Sequence, residues 1–166
     1  MMRSTPRLEK HRTMLRQYAG SDEIEREFMG LHRYMAATGH GLWVVGIGAA
    51  ATGDMAGRMV KCYPWAQISS IELRITAMQA YIEISSVGQE PRRTGTPHHL
   101  SENVVLIGMD RRAKQRAGEF ITYLNQRISA FHSARTGGPT KQCPYCAETI
   151  LEQAIKCKHC GSELAA

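Results

Sequence analysis

Apolar residues recur along this chain in two rhythms, one near 3.6 residues and one near two. Leu8, His11, Leu15 and Tyr18 stand three and four apart, which allows a short helix near the start. Ser21-Asp22-Glu23-Ile24 then offers a capping hydroxyl followed by acids, the signature of a helix start. Ile24, Phe28, Leu31 and Met35 would give that helix its apolar face, and Thr38-Gly39-His40-Gly41 ends it as a turn. From Leu42 to Met109 the rhythm shortens to that of strands. Strands are expected at 42–47, at 58–63 (closed by Pro64), at 68–75, at 80–87 and at 104–107. In the third and fourth, inward Ile82 and Ile84 and the alternation after Ile71 mark one dry and one wet face. With no helices between them, these strands predict an antiparallel meander. Asp110 then caps a clear helix whose stripe is Ala113, Ala117, Phe120, Ile121, Leu124, Ile128 and Phe131. Such a stripe must be buried, and capping an end of the sheet would do that. The fold class is therefore α+β, mainly β.

After that helix, Gly137-Gly138-Pro139 marks a linker over 134–141, and a cysteine-rich tail follows at 142–164. Residues 21–133 form the main domain and 1–20 a basic N-terminal arm. The arm holds Arg3, Arg7, Lys10, Arg12 and Arg16 against Glu9 alone. It reads either as a solvated terminus or as a weak contact with an acidic surface, lipid or partner. The whole chain has 166 residues and a formal charge of +6. The tail is neutral before any metal, with Lys141, Lys156 and Lys158 against Glu148, Glu152 and Glu163. Because nucleic-acid affinity rests largely on Lys and Arg neutralising phosphates, the tail is poorly equipped for that task alone. The chain has no long apolar run and no apolar centre near its start, so a cytoplasmic protein is expected.

The chemistry-bearing motif is Cys143-Pro144-Tyr145-Cys146 … Cys157-Lys158-His159-Cys160, two Cys-x-x-Cys pairs with ten residues between them. Each pair can curl so that both sulfurs face one ion, and two such knuckles give the tetrahedron of a structural zinc site. Thiolates favour zinc or iron–sulfur over hard cations. Disulfide pairing is one alternative and belongs to oxidising compartments. A thioredoxin-like redox pair is another and needs a neighbouring βαβ pattern, which is not visible. Cys62, in a strand-like run, reads as a small buried hydrophobe. His159 is expected to point to solvent. A module this small needs its metal for folding energy, with Ile150, Ile155 and Leu164 as a minimal apolar cluster.

The tail, Cys-Pro-Tyr-Cys-Ala-Glu-Thr-Ile … Ala-Ile-Lys-Cys-Lys-His-Cys-Gly-Ser-Glu-Leu, resembles the short zinc ribbon found at one end of bacterial proteins. That resemblance implies zinc (Zn2+) ligated by Cys143, Cys146, Cys157 and Cys160. The preceding region resembles a bacterial pleckstrin-homology-like domain of the YokE-like type. The likeness lies in Ala36 and Thr38-Gly39-His40-Gly41-Leu42, in Tyr63-Pro64-Trp65-Ala66-Gln67-Ile68-Ser69-Ser70-Ile71, and in Ala117-Gly118-Glu119-Phe120 through Ile128. It implies a strongly bent antiparallel sheet of seven strands closed by a C-terminal helix, whereas periodicity alone marks five.

Other candidates for chemistry are weaker. Gly46-Ile47-Gly48-Ala49-Ala50-Ala51 matches a loose dinucleotide loop, but the turn at Gly53-Asp54 denies it the helix such a loop requires. His98-His99 has no identifiable orienting partner for acid–base work. No catalytic residue and no other cofactor site is assigned. The expectation is a non-catalytic interaction or adaptor protein whose two modules contact a protein partner, or else a lipid. One alternative is a nucleic-acid-binding regulator using the arm and the basic face of the helix at 111–127. Another is a membrane-surface binder using the main domain, with Arg58 and Lys61 as the nearest basic candidates.

Overall fold

A computed structural model describes residues 5–87, 101–136 and 140–164. His98-His99 and Gly137-Gly138-Pro139 lie outside the described residues. The chain divides into two compact units, Met1–Ile128 and Ser129–Ala166. Among the described residues no helix is long and apolar enough to cross a membrane.

The first unit opens with α1 (Pro6–Ala19), capped by Thr5, whose hydroxyl accepts the Leu8 N–H at 3.3 Å. Pro6 at the first helical position lacks a donor that would have no partner there anyway. The arm at 1–20 was expected as a solvated terminus or a weak contact, with a short helix allowed; the helix forms over Pro6–Ala19, and its apolar face is packed rather than solvated. Leu8, His11, Met14 and Leu15 are buried and pack with Tyr34, Ala36 and Val45 of the sheet. The basic side chains occupy the other faces, and Arg12 pairs with Glu9 and with Glu27.

A correction concerns the helix expected from Ser21. The chain instead forms β1 (Arg26–Met29) and β2 (Arg33–Ala37), an antiparallel hairpin closed by the Gly30 N–H bonding Arg33 O at 2.9 Å. The acid read as a helix-start residue has another partner: Asp22 meets His40 Nδ1 at 2.5 Å. All five residues of β2 are buried, an environment a one-sided helix would not give them. Gly30 fits the turn because an added Cβ would lie 2.5 Å from Leu106 O.

β3 (Gly41–Ile47) and β4 (Arg58–Pro64) complete a four-stranded sheet in the order β1-β2-β3-β4. Between them α2 (Ala49–Thr52) puts one turn of helix on the Gly-x-Gly-x-x-Ala stretch, where no helix was expected, and Gly53 ends it after that single turn at φ +86°. A short helical turn at Trp65–Gln67 leads to β5 (Ile68–Ile75), β6 (Ala80–Ser86) and β7 (Val104–Ile107), a three-stranded sheet in that order. Every pairing is antiparallel. All five strands expected from periodicity are present, and the two further strands described in this unit, β1 and β2, lie where it read a helix.

The sheets are tied at one corner. Leu31 N–H donates to Leu106 O at 2.8 Å. The buried Arg33 guanidinium donates to Ala51 O at 2.7 Å and to Val104 O at 2.6 Å. α3 (Arg111–Thr136) begins where Asp110 Oδ1 accepts the Ala113 N–H at 2.9 Å. That bond holds the Asp110 carboxyl below its ordinary range. Ala113, Ala117, Phe120, Ile121, Leu124 and Ile128 are buried, as the stripe predicts. Phe120 stacks on Phe28 of β1 at 5.5 Å between ring centroids, and Asn125 reaches Ile71 O of β5, so α3 covers strands of both sheets.

Candidate metal centre

The second unit contains β8 (Thr140–Gln142) paired with β9 (Thr149–Leu151), followed by a single bridge between Lys156 and Glu163. Each pairing carries one Cys-x-x-Cys turn, and the two turns are built alike. In the first, Cys143 N–H bonds Glu148 O at 2.9 Å and Ala147 N–H bonds Cys143 O at 2.8 Å. In the second, Cys157 N–H bonds Ser162 O and Gly161 N–H bonds Cys157 O, both at 2.9 Å. The residue after each second cysteine has a left-handed backbone, Ala147 at φ +59° and Gly161 at +73°. Seven residues after each first cysteine stands a buried apolar residue, Ile150 or Leu164. The tail is thus an internal repeat, Cys-x-x-Cys-(Ala/Gly)-x-x-(Ile/Leu), whose copies start at 143 and 157. Matching the segments at that offset would have revealed it in the sequence.

The repeat brings all four sulfurs together, with no two farther apart than 4.8 Å. Cys143 Sγ lies 3.8 Å from Cys160 Sγ, and Cys146 Sγ lies 3.7 Å from Cys157 Sγ. Four sulfurs at the corners of a tetrahedron with Zn–S bonds of about 2.3 Å would stand about 3.8 Å apart. A disulfide needs about 2.05 Å, and all four are free thiols. The donor set therefore suits a thiophilic cation of zinc's size and forms a possible metal-binding site.

Burial divides the ligands. Cys143 and Cys157, the first of each pair, are buried, whereas Cys146 is half-buried and Cys160 exposed. The buried cluster of the unit is Cys143, Ile150, Cys157 and Leu164. Ile155, expected in that cluster, is 75 % exposed, because the repeat assigns the inward position to Leu164. His159 is exposed, and its backbone N–H donates to Cys157 Sγ at 3.4 Å.

The second thiols of the two pairs, Cys146 and Cys160, are shifted in opposite directions. The Ser162 hydroxyl, 3.3 Å from Cys160 Sγ, and the Ser162 backbone hold that thiol down to about 6. The Glu148 backbone N–H favours the Cys146 thiolate, but burial and the neighbouring sulfurs outweigh it and push the group up to about 12. A divalent cation removes that conflict by offsetting the crowded negative charge. Cys62 takes no part: it sits half-buried in β4 opposite Trp43, its thiol pushed up by burial.

No family model matches the chain, and neither curated proteins nor solved structures yield a match.

Proposed function

We propose that this chain is a non-catalytic interaction protein in which a pleckstrin-homology-like module and a zinc-ribbon module each offer a binding surface to a protein partner. The spacing of the four sulfurs carries the second half of that reading. Separations of 3.7 and 3.8 Å fit a tetrahedral zinc site, with Cys143, Cys146, Cys157 and Cys160 as its ligands. Zinc, when bound, supplies a cross-link that holds two turns in one shape. The unit buries two aliphatic side chains beside its sulfurs, too few to order it alone. The first half draws support from seven described antiparallel strands covered by a helix that follows them, the strand number and closing helix that the resemblance implies, although they form sheets of four and three rather than one bent sheet. Two modest contact surfaces on one chain raise the effective concentration of the second docking event.

A nucleic-acid reading draws less support. Arg12 and Arg127 are engaged by Glu27 and Glu25, and Arg7 by Leu31 O, which takes three of the ten basic side chains of the arm and the helix face into internal contacts. A lipid reading that leans on Arg58 and Lys61 meets Lys61 already paired with Glu102 at 3.0 Å.

Intact-mass spectrometry under non-denaturing conditions tests the metal half, with one zinc per chain expected and its loss on chelation. Affinity capture compares the intact chain with a Cys143→Ser/Cys146→Ser variant, and a subset of captured proteins should vanish with the variant. A metal-free chain, or capture indifferent to both chelation and the variant, would remove the zinc-ribbon module from the proposal.

A further inference from the structure

The four sulfurs of the tail form one cluster, but solvent does not reach them equally. Cys143 and Cys157 are 2 % and 1 % exposed. Cys146 is half-buried, and of the four only Cys160 is exposed. The repeat alone does not dictate this difference, since Cys146 and Cys160 hold equivalent places in it. A reagent arriving from solvent therefore meets Cys160 first. Metal ligation requires thiolates, and the thiolate is also the nucleophilic and oxidisable form of cysteine. Susceptibility to oxidation follows thiolate character and exposure together.

Contacts between the two turns decide what an oxidised Cys160 meets next. Its Sγ lies 3.8 Å from Cys143 Sγ, in van der Waals contact, and a disulfide would close that gap to about 2.05 Å. Cys157, the other thiol of its own turn, is held differently. Its Sγ accepts the His159 N–H at 3.4 Å and stands 3.7 Å from Cys146 Sγ. The exposed sulfur of the second turn is thus backed by a buried sulfur of the first.

We propose that Cys160 is a site of reversible oxidation by hydroperoxides, resolved by Cys143, which makes metal retention in the tail depend on redox state. The proposal deepens the zinc-ribbon reading and rests on it for the bound metal. In the first step the Cys160 thiolate attacks the outer peroxide oxygen. An S–O bond forms, the O–O bond breaks, and the departing alkoxide or hydroxide takes up a proton. Cys160 is left as a sulfenic acid. In the second step the Cys143 thiolate attacks the Cys160 sulfur. The S–S bond forms, the S–O bond breaks, and the hydroxide leaves as water after taking a second proton. Each sulfur gives up one electron, and the peroxide takes both. A disulfide sulfur carries no charge to offer a cation, so two of the four corners are lost in one event. Attack by an external dithiol reverses it.

The test uses the full chain, its zinc content measured first, treated with hydrogen peroxide below one equivalent. A colorimetric chelator follows zinc release, and peptide mapping without reduction locates the disulfide. One zinc should leave per disulfide formed. The first product should join Cys143 to Cys160, with Cys62, Cys146 and Cys157 still thiols. A dithiol with added zinc should restore the starting form. Cys160→His keeps a ligand at that corner without an oxidisable sulfur, and should slow zinc release about tenfold or more. Cys143→His leaves Cys160 without its resolving thiol, so a 1,3-dione should trap the sulfenic acid there. If neither variant holds zinc, the disulfide map of the intact chain decides. A first disulfide other than Cys143–Cys160 overturns the proposal. So does release from Cys160→His as fast as from the intact chain. Zinc retained through oxidation overturns this proposal and leaves the metal-site reading standing, whereas a chain without zinc at the outset overturns both.

Discussion

Ala147 and Gly161 occupy equivalent places in the tail's repeat, yet only one is glycine. Both have left-handed backbones, and a Cβ there costs about 1 kcal/mol. Ala147→Gly is expected to relieve that strain and tighten zinc binding about fivefold, read by competition with a chelator. Gly161→Ala should loosen it by a similar factor, although open space surrounds the position, because the penalty lies in the backbone. A second residue-scale prediction concerns His11. Its ring is buried in α1, Nδ1 sits 2.8 Å from Arg7 O, and Nε2 has no hydrogen-bond partner. Desolvation depresses its pKa below the ordinary 6.5. Above that value both folded and unfolded chains hold it neutral. As pH falls below it, the unfolded chain takes up a proton that the folded chain resists, so stability declines. Urea titrations at pH 7 and just above 5 should show that decline, and His11→Gln should blunt it. An unchanged slope in the variant would assign the acid sensitivity elsewhere. Arg33 is the third case. Its guanidinium satisfies the Ala51 and Val104 carbonyls inside the fold, so Arg33→Met should cost about 3 kcal/mol by leaving them bare.

At the scale of elements, α1 decides whether the first residues are an appendage or part of the core. A solvated arm could be removed at no cost. Here Leu8 and Leu15 are each 1 % exposed and cover Tyr34, Ala36 and Val45. Leu8→Ala or Leu15→Ala should cost about 2–5 kcal/mol. Deleting residues 1–20 should expose that apolar face and produce dye binding and early melting, whereas unchanged melting would restore the arm. The sequence carried the stripe Leu8-His11-Leu15 but not what lay beneath it, since a face cannot be told from a frayed amphipathic end until its partner is known. The same limit explains the hairpin β1–β2. Ile24, Phe28, Leu31 and Met35 satisfy a helical spacing, but Met35 pairs with Val44 and Phe28 with Met35, contacts set by strands further along. Where pattern and partner agree, as in β5 and β6, the elements were legible almost to the residue, whereas α3 runs on to Thr136, into the linker expected at 134–141. The four ligand candidates were legible because their geometry is local. Ile155 was misplaced because its burial depends on the repeat rather than on its own hydrophobicity.

The whole molecule consists of two units held together by different physics. Among the described residues, Met1–Ile128 buries aromatic and aliphatic side chains from seven strands and two long helices, enough to fold without a metal. Ser129–Ala166 contributes to its core two cysteines, one isoleucine and one leucine. A structural zinc is worth on the order of 10 kcal/mol to a module of that kind. Chelation should therefore act on one unit alone. In amide-resolved NMR of the intact chain, signals from 140–164 should collapse toward unfolded positions when zinc is stripped. Those from the strands of the first unit should stay in place, and its melting temperature should not move. Restoring zinc should return the tail signals, whereas cadmium, with longer bonds to sulfur, should return them shifted around Cys143, Cys146, Cys157 and Cys160. A tail that keeps its dispersed signals without metal would mean that Ile150 and Leu164 suffice to order it. A first unit that melts with the tail would mean the two are coupled through α3, the helix within which the units divide.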